Sequence, residues 1–137
     1  MATTIFITEA DLRELREMVY QARKHEDIES ANLARLQAEL ERARIVSPED
    51  VPRDVVTMNS KVLLYDLDTR EREIFTLVYP WQADAENNRV SVLAPIGTAL
   101  IGARVGDVMR WPVPAGILRF RIEELIYQPE REGVLTS

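Results

Sequence analysis

Three acidic residues lie close together in a polar stretch in the first third of the chain. Glu26, Asp27 and Glu29 follow His25 and separate two segments with helical periodicity. Carboxylates at this spacing could coordinate a hard divalent cation, because Mg²⁺ and Ca²⁺ prefer oxygen ligands. A solvated turn between two helices explains the same residues without a metal, and we take it as the simpler interpretation.

Covalent catalysis finds little support in the composition. The chain has 137 residues, no Cys and one His. A nucleophile–His–acid triad would need His25, which the pattern places in an exposed turn. No glycine-rich phosphate loop occurs. We therefore predict that the chain is not an enzyme, that it holds no metal and that it needs no cofactor.

Two tryptophans and one apolar corner are candidates for binding. Trp111 lies in a predicted strand, where such a residue usually belongs to the core. Trp81 lies in a predicted loop, and its role as a core or contact residue stays open. Pro95-Ile96-Gly97 presents an apolar edge at the start of a short helix. On physical grounds alone, a strand-to-helix turn explains this edge.

The charge balance argues against nucleic acid as a direct ligand. The net charge is −6, and phosphate binding needs clustered Lys and Arg. Residues 1–46 hold 7 Lys+Arg against 9 Asp+Glu, which leaves 10 against 14 for the rest. Acidic residues occur too early in the chain for a signal peptide. No run approaches the roughly 20 apolar residues of a membrane span. We expect a cytoplasmic protein.

The first 46 residues predict a short antiparallel helical hairpin, or coiled coil. A β-like entry ends at Ile7, and Thr8 is a helix N-cap with Asp11 three residues later. Helices are predicted over 9–24 and 28–44. Their apolar residues repeat at intervals of three and four, which is typical of a narrow seam: Leu12, Leu15, Val19 and Ala22, then Leu33, Leu36, Leu40 and Ala43. Seams satisfied within the chain favour a monomer.

The remaining residues predict a small sheet domain with one short helix, so the fold class is α+β. Residues 47–54 contain Pro48 and Pro52 and form a linker, and the domain spans 55–137. Alternating apolar residues place strands at 55–58, 61–68, 72–79, 89–93, 108–111 and 117–127. A helical turn is predicted over 98–101. Residues 129–137 are predicted to be a loose tail.

Several motifs occur in a recognisable order. Residues 91–102 read SVLAPIGTALIG, and Val105-Gly106-Asp107 and Pro114-Ala115-Gly116 follow. This order resembles the C-terminal domain of the Gre transcript-cleavage factors. Over nearly all of its length, the chain is similar to the bacterial regulators of nucleoside diphosphate kinase, which resemble Gre factors. Residues 54–60, 76–80 and 127–129 carry that second similarity.

The resemblance implies a fold, a partner and a docking site. The sheet domain would be FKBP-like and antiparallel, and it would dock on RNA polymerase at the rim of the secondary channel. The docking residues, carried over from the family motif, are Leu93, Ala94, Pro95, Ile96 and Gly97. The hairpin would point into the channel. A role in regulating nucleoside diphosphate kinase is also implied.

The hairpin tip departs from the family pattern. In Gre factors, acidic residues in an Asp-x-x-Glu-Asn pattern hold magnesium at the polymerase active site. Asp27 matches the first acid, whereas Ser30 and Ala31 replace the second acid and the Asn. The tip comprises Glu26, Asp27, Glu29 and Ser30. The arm is also shorter by about ten residues, or ~15 Å. These departures imply competition with Gre factors without RNA cleavage.

Three other functions stay open at this point. One is a Gre-type factor that does promote transcript cleavage. A second is a prolyl isomerase, since FKBP-like folds carry that activity, although an aromatic-lined pocket must then come from only nine aromatic residues, 2 Trp, 4 Tyr and 3 Phe. The third is an interaction module that acts on nucleoside diphosphate kinase or its expression without polymerase.

Overall fold

The computed structural model describes residues 5–25 and 30–133, and it has the predicted α+β class. Two helices precede a five-stranded sheet, and a third, short helix lies within the sheet region. The helices are α1 (Glu9–His25), α2 (Ser30–Glu41) and α3 (Pro95–Leu100). The strands are β1 (Phe6–Ile7), β2 (Arg44–Ile45), β3 (Lys61–Asp66), β4 (Arg72–Val78), β5 (Arg89–Ser91), β6 (Val108–Val113) and β7 (Gly116–Tyr127).

Helices α1 and α2 pack through the predicted apolar seams. The Thr8 hydroxyl accepts a hydrogen bond from the Asp11 backbone N–H at 3.2 Å, which caps α1 as predicted. Leu15 and Leu36 are fully buried, and the side chains of Arg23 and Gln37 are hydrogen-bonded between the helices. His25 is the last residue of α1, so its predicted position in a turn is wrong by one residue.

Helix α2 ends three residues earlier than predicted because the chain then forms a strand. Arg44 and Ile45 pair in parallel with Phe6 and Ile7. The Arg44 N–H donates to the Ile5 carbonyl at 2.7 Å, and the Val46 N–H donates to the Ile7 carbonyl at 2.9 Å. These bonds occupy donors that a longer helix would have used. The two-stranded pairing thereby joins the start of α1 to the end of α2.

The sheet has the order β5-β4-β3-β7-β6 and is mixed. Strands β3, β4, β6 and β7 pair antiparallel, whereas β5 runs parallel to β4, so the prediction of a fully antiparallel sheet is wrong at this edge. A parallel neighbour requires a crossover connection rather than a hairpin. Two short 3₁₀ helices, at Pro80–Gln82 and Ala85–Asn87, lie in that connection.

Residues 55–58 are buried but do not form the predicted strand. Val55 makes one isolated bridge with Arg104. The Val56 N–H donates to the Ala103 carbonyl at 2.8 Å, and the Val56 carbonyl accepts from the Gly102 N–H at 2.9 Å. The apolar residues here reflect burial under the end of α3 rather than strand pairing.

Strand β7 does not alternate regularly along its length. Its register against β3 shifts twice, so that Leu64 pairs with Ile122 and Val62 pairs with Leu125. An extra residue in a strand reverses the direction of the side chains that follow. Ile122 and Leu125 therefore both face the core, although they are three positions apart.

One hydrophobic cluster contains residues from the helices and from the sheet. Leu15 and Leu36 of the helices belong to it together with Val62, Leu77 and Ile122 of the sheet. The burial of apolar surface that stabilises the sheet thus also holds the helices. None of the helices in the described residues is long and apolar enough to cross a membrane.

As far as Gly133, the residues after β7 do not form the predicted loose tail. Gln128 is 0% exposed, and its side-chain amide donates to the carbonyls of Pro52 and Val55 at 2.8 and 2.7 Å. The Glu130 carboxylate accepts a 2.7 Å hydrogen bond from the Thr57 hydroxyl. These long-range bonds anchor the segment to residues 52–57, which is why it is ordered.

Candidate docking surface

The turn between β5 and α3 is shaped by Ser91. The Ser91 hydroxyl accepts a hydrogen bond from the Leu93 N–H, and the Ser91 carbonyl accepts one from the Ala94 N–H, both at 3.0 Å. Pro95 is the first residue of α3, where its missing N–H removes no helical hydrogen bond and its ring presets φ. The chain thus leaves the sheet edge and enters the helix through a tightly bonded corner.

Gly97 and Thr98 hold this corner against β5. A Cβ atom on Gly97 would lie 1.9 Å from the Ser91 carbonyl oxygen, a distance at which two atoms overlap. Only glycine lets the helix backbone approach the strand this closely. The Thr98 hydroxyl donates a 2.6 Å hydrogen bond to the Val92 carbonyl. The structure therefore explains Gly97 through backbone packing.

The four residues before Gly97 form the outward part of the corner. Leu93, Ala94, Pro95 and Ile96 are half-buried, and Leu93 and Ile96 also pack partly against the core. The far end of α3 is anchored by Leu100, which is fully buried. The result is a small, apolar and uncharged surface held by hydrogen bonds on both sides.

A cleft of about 390 Å³ lies between α2, α3 and β6, next to this corner. Trp111 lines it and is 9% exposed, as predicted for a strand tryptophan. The Arg35 guanidinium lies over the Trp111 ring, 4.5 Å from its centroid, in cation–π geometry. Trp81, in contrast, is 65% exposed and stacks on Tyr79.

The predicted hairpin tip lies mostly outside the described residues. Glu26, Asp27 and Glu29 are among the residues that the structure does not describe, and Ser30 begins α2. In residues 5–25 and 30–133, no three His, Cys, Asp or Glu residues are grouped as metal ligands. The 17 residues of α1 give an arm of ~25 Å at 1.5 Å per residue.

A buried polar group joins α1 to the sheet, and sequence reasoning missed it. Asp11 is 5% exposed, and its carboxylate accepts a 3.3 Å hydrogen bond from the Tyr79 hydroxyl. Burial, together with the nearby charge of Glu130, raises the pKa of Asp11 to about 6. Burial also raises the pKa of Tyr79. The Asp in a capping position was visible in the sequence, but its distant neighbours were not.

The order of helices, sheet and corner defines a class of protein, and comparisons with known proteins identify it. The family described as "Transcription elongation factor, GreA/GreB, C-term" matches residues 49–127, and "Rnk N-terminus" matches residues 3–46. A solved GreA/GreB elongation factor from Nitrosomonas europaea superposes with a TM-score of 0.77 at 38% identity. The superposed region covers 90% of this chain and 100% of the chain of that elongation factor.

Sequence relatives narrow this assignment. The Escherichia coli K12 regulator of nucleoside diphosphate kinase is 48% identical over 99 residues, which are 72% of this chain and 73% of the relative. The elongation factor GreA of Chloroherpeton thalassium is 39% identical over 121 residues, 85% of this chain and 75% of the relative. The chain therefore belongs to the GreA/GreB family, and its N-terminal region and this relative place it with the Rnk proteins.

Proposed function

We propose that this chain is a non-catalytic transcription regulator that binds RNA polymerase at the rim of the secondary channel. The observation that carries the proposal is the corner at 93–96. It is apolar and half-exposed, and the bonds of Ser91 and Thr98 hold it rigidly. A contact that is ordered before binding loses little conformational entropy in the complex. Family membership supplies polymerase as the partner.

Leu93, Ala94, Pro95 and Ile96 make the contact in this proposal. Gly97 acts through the backbone, because its approach to β5 sets the direction of the residues before it. The helical region 1–46 then points into the channel from the sheet domain 55–137, with 47–54 as the connection. In this proposal the protein acts in the cytoplasm, together with the polymerase.

The protein binds in the channel without promoting RNA cleavage. Ser30 and Ala31 supply neither the second acid nor the Asn of the Gre pattern. An arm of ~25 Å is also short for reaching the active site. Metal coordination needs contacts within about 2.6 Å, so a carboxylate several ångströms too far contributes nothing. Occupying the channel entrance would instead exclude Gre factors. Any effect on nucleoside diphosphate kinase would follow from altered transcription.

Binding of purified polymerase to wild type and Pro95→Arg tests the docking assignment. Arg at this position adds charge and bulk to the apolar corner, so we expect at least a tenfold loss of affinity with an unchanged melting temperature. Pro48→Arg is the matched control, because Pro48 is also half-buried and also begins a short helix after an extended residue. Equal binding by Pro95→Arg and wild type would remove this docking site.

A further inference from the structure

Strand β6 is an open edge of the sheet, because no other strand in the described residues pairs with its outer side. The Asp107 carbonyl accepts the Ile122 N–H at 3.0 Å, and β6 pairs with β7 residue by residue from there. Antiparallel pairing uses the backbone groups of alternate residues. Met109, Trp111 and Val113 therefore bond to β7.

The backbone groups of Val108 and Arg110 consequently point away from the sheet. Pro112 occupies the next outward position and has no N–H to offer. The open edge thus presents the N–H and carbonyl of two successive outward residues and then stops at a proline. Its hydrogen-bonding capacity fits a short extended segment rather than a long strand.

This edge borders the cleft beneath Arg35, and the cleft has an apolar wall. Ile101, Met109 and Trp111 line it, and each is at least nine-tenths buried. Because side chains alternate along a strand, Met109 and Trp111 lie on the face of the sheet that faces the core. The side chains of Val108 and Arg110 lie on the opposite face, at the rim of the cleft. A segment laid along β6 would likewise place one residue inward and the next outward.

Two arginines at the cleft have no carboxylate partner among the described residues. Arg35 lies over the Trp111 ring, and Arg110 forms no ion pair within residues 5–25 and 30–133. The acids of the cleft are already engaged, since Glu39 pairs with Arg42 at 2.6 Å and Asp107 accepts the Arg104 N–H at 2.9 Å. Arg110 therefore carries a positive charge at the rim of the cleft that no described carboxylate pairs with, in a chain whose net charge is −6.

We infer that an extended, acidic segment of RNA polymerase adds to the edge of β6 and fills this cleft. Alternate residues of the segment are apolar, on the face of Met109 and Trp111, and acidic, on the opposite face toward Arg110. Backbone pairing gives affinity in this mode of recognition, and side chains in pockets give specificity. The inference rests on the proposed function, because Thr98 and Ala99 of α3 line the cleft and continue the Pro95 corner.

Edge protection is the competing explanation for some of these residues. Charged residues and prolines deter unwanted pairing at sheet edges, and Arg110 and Pro112 fit that role. Protection alone does not require a cleft beside the edge with Ile101, Met109 and Trp111 in its wall. The two explanations differ in whether the outward N–H groups become bonded in the polymerase complex.

Two substitutions test the inference with polymerase and the full chain. Val108→Pro removes an outward N–H without touching the bonds to β7, and Pro112 shows that the strand accepts proline at this parity. Arg110→Glu reverses the charge beside Arg119, its cross-strand neighbour. We expect each to weaken binding about tenfold. Arg70→Glu, in the exposed turn before β4, is the charge-matched control and should bind as wild type.

Hydrogen exchange tests for backbone pairing directly, because a contact through side chains alone would not protect the outward amides. The amides of Val108 and Arg110 should exchange freely in the isolated protein and become protected in the complex. If Val108→Pro fails to fold, Arg110→Glu and this protection still decide the question.

The outcomes distinguish the inference about the cleft from the proposal that the corner docks on polymerase. Cleft variants that bind as wild type, while Pro95→Arg does not, would overturn the cleft inference and leave the docking proposal intact. A wild-type protein that does not bind polymerase would overturn both. Self-association that Val108→Pro abolishes would identify a second copy of the chain as the occupant, and would also overturn the inference.

Discussion

Gly97 shows how a single missing side chain shapes the corner at 93–96. The Ser91 carbonyl occupies the space that a Cβ atom would need, and it belongs to the backbone, so it cannot rotate away. The requirement arises from close approach rather than from an unusual φ. A motif glycine that family resemblance assigns to binding thus has a structural function that is sufficient to explain it.

We predict that Gly97→Ala destabilises the protein by about 2 kcal/mol or more, because overpacking against backbone forces α3 to move. Urea denaturation measures this loss. Gly106→Ala is the comparison, since Gly106 has φ +95° but open space around its Cβ position. It should cost about 1 kcal/mol, from backbone strain alone. A smaller loss for Gly97→Ala than for Gly106→Ala would contradict the packing argument.

Asp11 makes stability depend on pH. Burial raises its pKa to about 6 in the folded protein, against 3.8 for an unperturbed carboxyl, and Glu130, Glu14 and Tyr79 are its charged or titratable neighbours. Between these two values the folded state retains a proton that the unfolded state has lost. The free energy of unfolding therefore falls as pH rises from about 4 to 6, by at most about 3 kcal/mol, and then levels off.

We expect Asp11→Asn to remove this slope. The amide stays neutral at all pH values and can still accept the Tyr79 hydrogen bond, so the variant should be more stable than wild type at pH 7 and similar at pH 4. Thermal melts across this range measure the difference. Tyr79→Phe should extend the fall in stability to higher pH, because it removes the donor that favours the carboxylate and so raises the pKa of Asp11 further. Parallel pH profiles for wild type and Asp11→Asn would disprove the assignment.

In the proposed function, the length of the helical arm decides between binding and cleavage. Helix α1 has 17 residues, and α2 has 12 before the chain turns into β2. The pairing of β2 with β1 fixes where the arm begins at its base. Reach is therefore a property of the whole element, and no substitution at the tip can extend it.

Restoring the Gre tip pattern tests whether the length of the arm or the missing tip residues prevent RNA cleavage. Ser30→Glu combined with Ala31→Asn restores the Asp-x-x-Glu-Asn order after Asp27. If reach is limiting, backtracked polymerase complexes should show no more RNA cleavage with this variant than without it. A Gre factor serves as the positive control for the same complexes. Brisk cleavage by the wild type, lost in Asp27→Asn, would instead identify a cleavage factor.

At the scale of the whole molecule, the helices and the sheet share one core, so the arm and the corner are presented to a partner together. Leu15 and Leu36 from the helices join Leu77 and Ile122 of the sheet in a single buried cluster. Long-range bonds of Gln128 and Glu130 also tie the C-terminal segment to residues 52–57. Docking through the corner would therefore direct the arm.

Competition with a Gre factor measures this combined action. An excess of the protein should lower Gre-stimulated cleavage in proportion to its occupancy of polymerase, because both would use one entrance. Pro95→Arg should not inhibit at the same concentration, whereas Pro48→Arg should inhibit as wild type does. Inhibition that is equal for all three proteins would place the effect away from the corner.

Much of the architecture could be predicted from local patterns. The seams of α1 and α2, the Thr8 cap and the positions of β3, β4 and β7 follow from spacings of two, three and four residues, which periodicity reveals directly. Trp111 was also predicted correctly as a buried strand residue. The motif order around Pro95 was enough to suggest the family.

Other features depend on residues that are far apart in the chain. Strand β2 exists because Ile5 and Ile7 accept its N–H groups, and the irregular alternation of β7 exists because β3 lies beside it. The pKa of Asp11 is raised by its burial and then by Glu130, 119 positions away (130 − 11). The helices, most strands and the apolar corner can thus be predicted from the amino-acid pattern, since they follow from short-range spacing. The parallel edge, the buried acid and the open edge of β6 become visible only in the folded chain, because each depends on which distant backbone or charge comes to lie beside it.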